Sequence, residues 1–240
     1  YLGDTAQLEL KNSIVRNNTA QVGGGIFSDM HAILNVSSSW IHNNTTSSNK
    51  DGTATYGAGI ASLGEFTVKN STVSNNSGTG ITHHWTGSGI GGDGQIINST
   101  ISTNTSHGIY NLAWGNNPKR YLRIFSSTIT GNSSGIYNHP LLSWYEVVFT
   151  ELKNSIIADN GEDLIAPETQ WGANIFTNLG GNLIGHLTNR SGFSGGSISN
   201  IDPKLGPLEN NGGFAPTHAL KHGGPAIDAG INEGAPETDQ

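Results

Sequence analysis

One seven-residue phrase constrains this chain more than anything else in it. Asn98-Ser99-Thr100-Ile101-Ser102-Thr103-Asn104 has five relatives, at Asn12 to Asn18, Ser38 to Asn44, Asn70 to Asn76, Ser126 to Asn132 and Asn154 to Asn160. Aligned, they give four columns without exception. The first is Ser13, Ser39, Ser71, Ser99, Ser127 and Ser155; five residues on comes Asn18, Asn44, Asn76, Asn104, Asn132 and Asn160. Two residues after the serine stands Val15, Ile41, Val73, Ile101, Ile129 and Ile157. Three residues before it stands Leu10, Val36, Val68, Ile96, Ile124 and Leu152. Successive serines are 26, 32, 28, 28 and 28 residues apart. A period in this range is the mark of a repeat architecture.

Around each phrase apolar residues alternate with polar ones and Val, Ile and Thr are common, which is strand patterning. Two short strands meet at the Asn-Ser step, and parity turns Leu8, Leu10, Ser13 and Val15 inward across a bend. A third strand follows, at Gly25-Ile26-Phe27, Gly59-Ile60-Ala61, Gly80-Ile81-Thr82, Gly108-Ile109-Tyr110 and Gly135-Ile136-Tyr137. No segment has helical periodicity with caps. Three short strands per repeat describe one rung of an all-β parallel β-helix, a β-solenoid.

Rungs stack at about 4.8 Å, so equivalent residues lie above one another. An apolar column then becomes a core stripe, each buried Val, Ile or Leu contributing roughly 1.5–3 kcal/mol. The Ser column fits a tight inner corner. The Asn column, Asn18 to Asn160, is expected to mark turns, since Asn tolerates the left-handed conformation and stacked amides hydrogen-bond along the axis. About eight rungs are expected, spanning residues 1–200 and roughly 35–40 Å. Residues 201–240, rich in Pro and Gly and aperiodic, are expected to form an irregular C-terminal cap or strap, since repeat stacks need their open cores covered.

Composition narrows the function classes. Charged residues make up 12% of the chain and the net charge is −7. Eleven scattered basic residues leave no nucleic-acid footprint. No run of about 18 apolar residues is present, so no insertion into a membrane is expected of this segment. Zero cysteines exclude disulfides and thiolate metal sites. Tyr1 opens directly on strand-like sequence with no secretory leader, as expected of a mature form or an excised piece.

What interrupts the repeat is the place to look for function. The insertion Thr45 to Tyr56 reads as a polar surface loop. The connections after the third strand carry aromatic residues: Thr82-His83-His84-Trp85, Asn111-Leu112-Ala113-Trp114 and Asn138-His139-Pro140-Leu141-Leu142-Ser143-Trp144-Tyr145. Stacking would bring these loops to one side. Trp85, Trp114 and Trp144, with His83, His84, His139, Tyr121 and Tyr145, would then form a flat platform for sugar rings, and Lys119, Arg120 and Arg123 would meet acidic groups. Packing of the Trp residues loop against loop explains the same pattern.

Catalysis has thinner support. Glycoside hydrolysis needs two carboxylates about 5–10 Å apart, and the rungs hold few acids. Asp159, Glu162 and Asp163 cluster, but a solvated turn accounts for them. No catalytic residue and no cofactor is assigned. Gly91-Gly92-Asp93-Gly94 has the flavour of calcium-binding Gly-Asp repeats but occurs once, where tandem copies are needed. Adjacent strand side chains point oppositely, so His83-His84 is no zinc pair. No metal site is expected.

The rungs resemble the right-handed parallel β-helix repeats of bacterial surface and secreted proteins, including polymorphic outer-membrane-type proteins. The tail resembles the C-terminal module of choice-of-anchor Q proteins, through Asp202-Pro203-x-Leu205-Gly206-x-Leu208, Asn211-Gly212-Gly213, Thr217-His218-Ala219-Leu220 and Pro225-Ala226-Ile227-Asp228-Ala229-Gly230. Thr238-Asp239-Gln240 matches the start of that family's closing phrase, which continues Arg-Gly. The resemblance implies an extracellular or bacterial cell-surface location and a structural or adhesive role. Its expected partners are a surface polysaccharide and, through unpaired strand edges at the ends of the stack, further copies joined end to end as fibres. The alternative is a polysaccharide-binding or polysaccharide-degrading protein, since relatives of this fold include lyases and glycosidases and fold alone does not decide.

Overall fold

The structure, a computed structural model, describes residues 1–47, 57–86, 92–114, 120–140, 147–167, 173–187, 193 and 198–240. Trp144, Tyr145 and Lys119 lie outside the described residues. The chain winds as a β-solenoid with three parallel sheets. Sheet 1 has seven strands, from Gln7–Lys11 to Ala173–Asn178, and sheet 2 has eight, from Ile14–Arg16 to Ile198–Ser199. Sheet 3 has six, from Ile26–Ser28 to Leu164–Ile165. Among the described residues six rungs therefore carry a strand in all three sheets, fewer than the eight expected. Beyond them the third side carries no strand among the described residues, and only sheets 1 and 2 continue.

Register follows the sequence columns. In sheet 2 the ladder runs Val15, Ile41, Val73, Ile101, Ile129, Ile157 and on to Ile184. In sheet 3 it runs Ile26, Ile60, Ile81, Ile109, Ile136 and Leu164. In sheet 1, Leu10, Val36, Val68, Ile96, Ile124 and Leu152 stack in turn. These three stripes fill the interior, and from Ile41 to Ile157 the sheet 2 stripe is fully buried. A second inward column in sheet 1 alternates in size. Gly94 sits between Phe66 and Leu122, and a Cβ there would come 2.4 Å from the Phe66 ring.

Two polar ladders close the corners. Each serine N–H donates to the Oγ of the serine one rung on, from Ser13 to Ser155, and Ser155 N donates to Asn182 Oδ1. Each asparagine Nδ2 donates to the next Oδ1, from Asn18 to Asn160, and Asn160 Nδ2 ends on Asp163 Oδ1. The left-handed residues are not these. They stand one position earlier, at Asn12, Ser38, Asn70, Asn98, Ser126 and Asn154, and at Asn17, Asn43, Asn75, Thr103, Gly131 and Asp159. The corner turns just before the ladder residue, which frees its side chain to point inward and bond along the axis.

Residues 201–240 run along the outer flank of sheet 2. Strands Leu205–Glu209 and Thr217–Leu220 pair antiparallel. Thr72 Oγ1 donates to Pro216 O, Gln240 Nε2 donates to Thr72 Oγ1, Asn98 Nδ2 donates to Thr238 O, and Asn154 Nδ2 donates to Ile231 O. His218 Nε2 lies 2.8 Å from Ser102 Oγ. Thr100 Oγ1 donates to Gln240 Oε1, so the hydroxyls of Thr72, Thr100 and Ser102 serve as anchor points for the tail.

Candidate functional site

Strand parity and sheet membership divide the aromatic platform expected from the sequence. His83 shares its ladder position with Asn111 and Asn138 in sheet 3. It is 1% exposed, with Nδ1 3.1 Å from Asn111 Oδ1, Nε2 3.0 Å from Gly92 O and its ring edge against Phe66. Asn111 Nδ2 passes the network to Thr150 Oγ1, which donates to Asn138 Oδ1. His83 is therefore part of a buried polar seam. His84 is 4% exposed, and burial, with a smaller push from His83, lowers its pKa to about 4. Neither imidazole offers an open face.

Trp85 and Trp114 close the strands Ile81–Thr86 and His107–Trp114. Trp85 pairs with Ala113, and Trp114 with Thr86, so the two stand one residue out of register. Arg120 opens the strand Arg120–Phe125 opposite Val148 in sheet 1. Tyr121 lies in that same sheet, 5.0 Å from Phe149 between ring centroids. Arg123 sits 4.8 Å from the Tyr121 ring, and its guanidinium donates to Asp93 at 2.8 Å and to Glu151 at 2.9 Å. That charge is already matched by two carboxylates. His84 and His139 share an outward ladder position of sheet 3 through Leu112, but His84 is buried and His139 is partly exposed.

What the fold brings together instead is a cluster of rings around His139. Tyr110 and Tyr137 share a ladder position, with centroids 5.4 Å apart. His107 stacks 5.3 Å from Tyr110 and 4.9 Å from Tyr137. Tyr110 Oη is 2.6 Å from His139 Nδ1, and the His107 ring is hydrogen-bonded to Ser134 Oγ. In each strand the Ile of Gly-Ile-Tyr fills the core, which turns the Tyr outward by the two-residue period. The recurrence of Gly-Ile-Tyr at Gly108 and Gly135 was the available sequence signal for these two residues.

Beside this cluster is a groove of about 570 Å³ lined by Ser133, Ser134, Tyr137, Glu162, Leu164, Ile165 and Pro167. Burial, then the negative charge of Glu162, raises the Tyr137 phenol pKa. Burial, then His139, lowers the His107 pKa. At neutral pH the His107 imidazole is therefore uncharged and the Tyr137 phenol protonated, and the Glu162 side chain is exposed beside them.

The other acids are engaged differently. Asp163 is 2% exposed; its Oδ1 accepts from Asn160 and its Oδ2 from the backbone N–H of His186. It ends the asparagine ladder. Asp159 lines a shallow cavity of about 280 Å³ with Asp163 and Asp202, and burial followed by Asp202 raises its pKa. Among the described residues no phenol, phenyl or indole ring lines that cavity. Among the described residues no group of three or more His, Asp or Glu is placed to hold a metal ion. No protein-family model, curated protein or solved structure matches this chain.

Proposed function

We propose that this chain is a secreted or cell-surface structural and adhesive β-solenoid, and that it contacts glycan through the sheet 3 exterior around Tyr110 and Tyr137. The observation that carries the reading is this ring cluster. The apolar, Ser and Asn columns are consumed by folding, whereas Tyr110, Tyr137, His107 and His139 lie on the outside and stabilise no core stripe. Flat aromatic faces beside hydroxyls and a carboxylate suit the apolar face and hydroxyl edge of a sugar ring. The likeness of the tail phrases to a surface-protein module supports display outside the cell.

The test is a polysaccharide panel scored for retention and for released product. Tyr137→Ala and Tyr110→Ala are expected to weaken retention about tenfold or more, with unchanged melting temperature. Absence of retention on every polymer, or variants as adhesive as the parent chain, would remove the reading. Released oligosaccharide would replace adhesion with degradation.

A further inference from the structure

The groove beside Tyr137 has a definite charge character. None of the six strands of sheet 3 contains Lys or Arg. Among the described residues lining the groove, the one charged side chain is Glu162, and it is exposed. Arg123, one of the three cations expected to meet acidic sugars, is on sheet 1 and bound by Asp93 and Glu151. The chain as a whole carries −7. Among the described residues lining the groove, a uronate polymer would meet a like charge and no cation.

An aromatic face beside a carboxylate is the combination that recognises an ammonium group. The ring quadrupole attracts the cation, worth about 0.5–1 kcal/mol at exposed sites and more when desolvated. The carboxylate adds a charge-assisted hydrogen bond. Tyr137 supplies the face and Glu162 the anion, both on one groove, and the hydroxyls of Ser133 and Ser134 line the same wall. Ile165 and Pro167 give it an apolar floor of the kind a pyranose ring covers.

We infer that this groove takes a polymer of free-amine sugars, the ammonium at Glu162 and the ring against Tyr137. The inference rests on the glycan-binding reading above and names its ligand class. Uncharged His107 is compatible with a cationic ligand, and its protonation on acidification would oppose it.

Binding of glucosamine, N-acetylglucosamine and galacturonate hexamers near neutral pH, followed by calorimetry on the whole chain, tests it. The glucosamine hexamer is expected to bind about tenfold more tightly than its acetylated counterpart, with the margin shrinking as salt rises. Glu162→Gln is expected to erase that margin and leave the weaker binding of the acetylated hexamer unchanged. Equal or tighter binding of the acetylated or galacturonate hexamer, still weakened by Tyr137→Ala, overturns the amine class and leaves the glycan reading standing. An unaltered margin in Glu162→Gln overturns the role of Glu162. Failure of all three hexamers, together with an empty polysaccharide panel, overturns both readings. Glu162 is exposed, so its replacement is not expected to disturb folding.

Discussion

Asn104 places two donors on one atom of Asn132: its side-chain Nδ2 lies 2.9 Å from Asn132 Oδ1 and its backbone N 3.0 Å from the same oxygen. Its Nδ2 also reaches back 3.2 Å to Val73 O, and its own Oδ1 accepts from Asn76 N and Nδ2. One amide thus joins three rungs. Asn104→Leu preserves volume but takes the acceptor from Asn76 N and Nδ2 and leaves Asn132 Oδ1 with the backbone N–H alone, in a site 2% exposed. Buried groups without partners cost about 1–3 kcal/mol each, so a loss of about 3–5 kcal/mol is expected in urea denaturation. Asn18→Leu, at the exposed first rung, should cost about 1 kcal/mol or less. Equal losses at the two positions would show that desolvation is not the cause.

The glycine preceding each inward Ile of sheet 3 is held there by the next rung. At Gly80 an added Cβ would lie 2.7 Å from Gly108 O and 2.7 Å from Asn104 Nδ2. Neither can retreat, because the first is backbone and the second is committed to the ladder. Gly80→Ala is expected to cost about 1–3 kcal/mol, the usual range for overpacking. Gly206→Ala, whose nearest neighbour would be 3.4 Å away, should change stability by about 0.5 kcal/mol or less. Thermal melts of the two variants compare them directly, and matching shifts would refute the steric account.

The columns were legible because a solenoid superposes equivalent positions, so one rule is written six times. Ile101 and Ile129 had to be core once Val73 was. Substituted roles were not legible. Asn182 takes over from serine as the acceptor for Ser155 N, and Asp163 takes over from asparagine for Asn160. Either carries the oxygen the ladder needs, yet neither matches its column. The left-handed step falls one residue before the column that suggests it, because Asn occurs both at the turn, as Asn75, and in the ladder, as Asn76. The site is less legible. Loop aromatics suggested one platform, but platform membership depends on parity and on sheet, and those send His83 inward and Tyr121 to another face. Tyr110 and Tyr137 were visible in Gly-Ile-Tyr; that they meet His107, His139 and Glu162 required the stacking itself.

Thr103 is the odd member of the turn that precedes the ladder. Its φ is 54°, a left-handed value that Asn17, Asn43 and Asn75 also adopt, but a β-branched residue is poorly suited to it. Thr103 Oγ1 recovers part of the cost by donating to Asn75 Oδ1 at 2.9 Å. Asn at this position would keep a donor and relieve the strain. Thr103→Asn is expected to stabilise the chain by about 0.5–1 kcal/mol, seen as a higher denaturation midpoint with an unchanged slope. A lower midpoint would mean that the Thr103–Asn75 bond outweighs the backbone strain.

His218 gives the tail a pH-dependent hold on sheet 2. Gly206 O, which only accepts, lies 2.8 Å from His218 Nδ1, so the proton sits on Nδ1 and Nε2 accepts from Ser102 Oγ. A second proton would set an N–H against that hydroxyl, whose oxygen belongs to a fully buried serine. Burial accordingly lowers the His218 pKa, against smaller upward pulls from Gly206 O and Asp159. A histidine depressed in the folded state contributes stability in full above its unfolded value of about 6.5, and that contribution is lost as pH falls toward the folded value. Asp159 works in the opposite direction: its raised pKa favours the folded state under more acidic conditions. The tail should therefore loosen first as pH drops below about 6.5. Amide hydrogen exchange over residues 205–220, corrected for the intrinsic effect of pH, is expected to quicken severalfold between mildly alkaline and mildly acidic buffer, while amides around Ile101 hold steady. His218→Gln keeps an acceptor for Ser102 but takes up no proton, and it should flatten the response. An acid response that persists in His218→Gln would assign the loosening to another group.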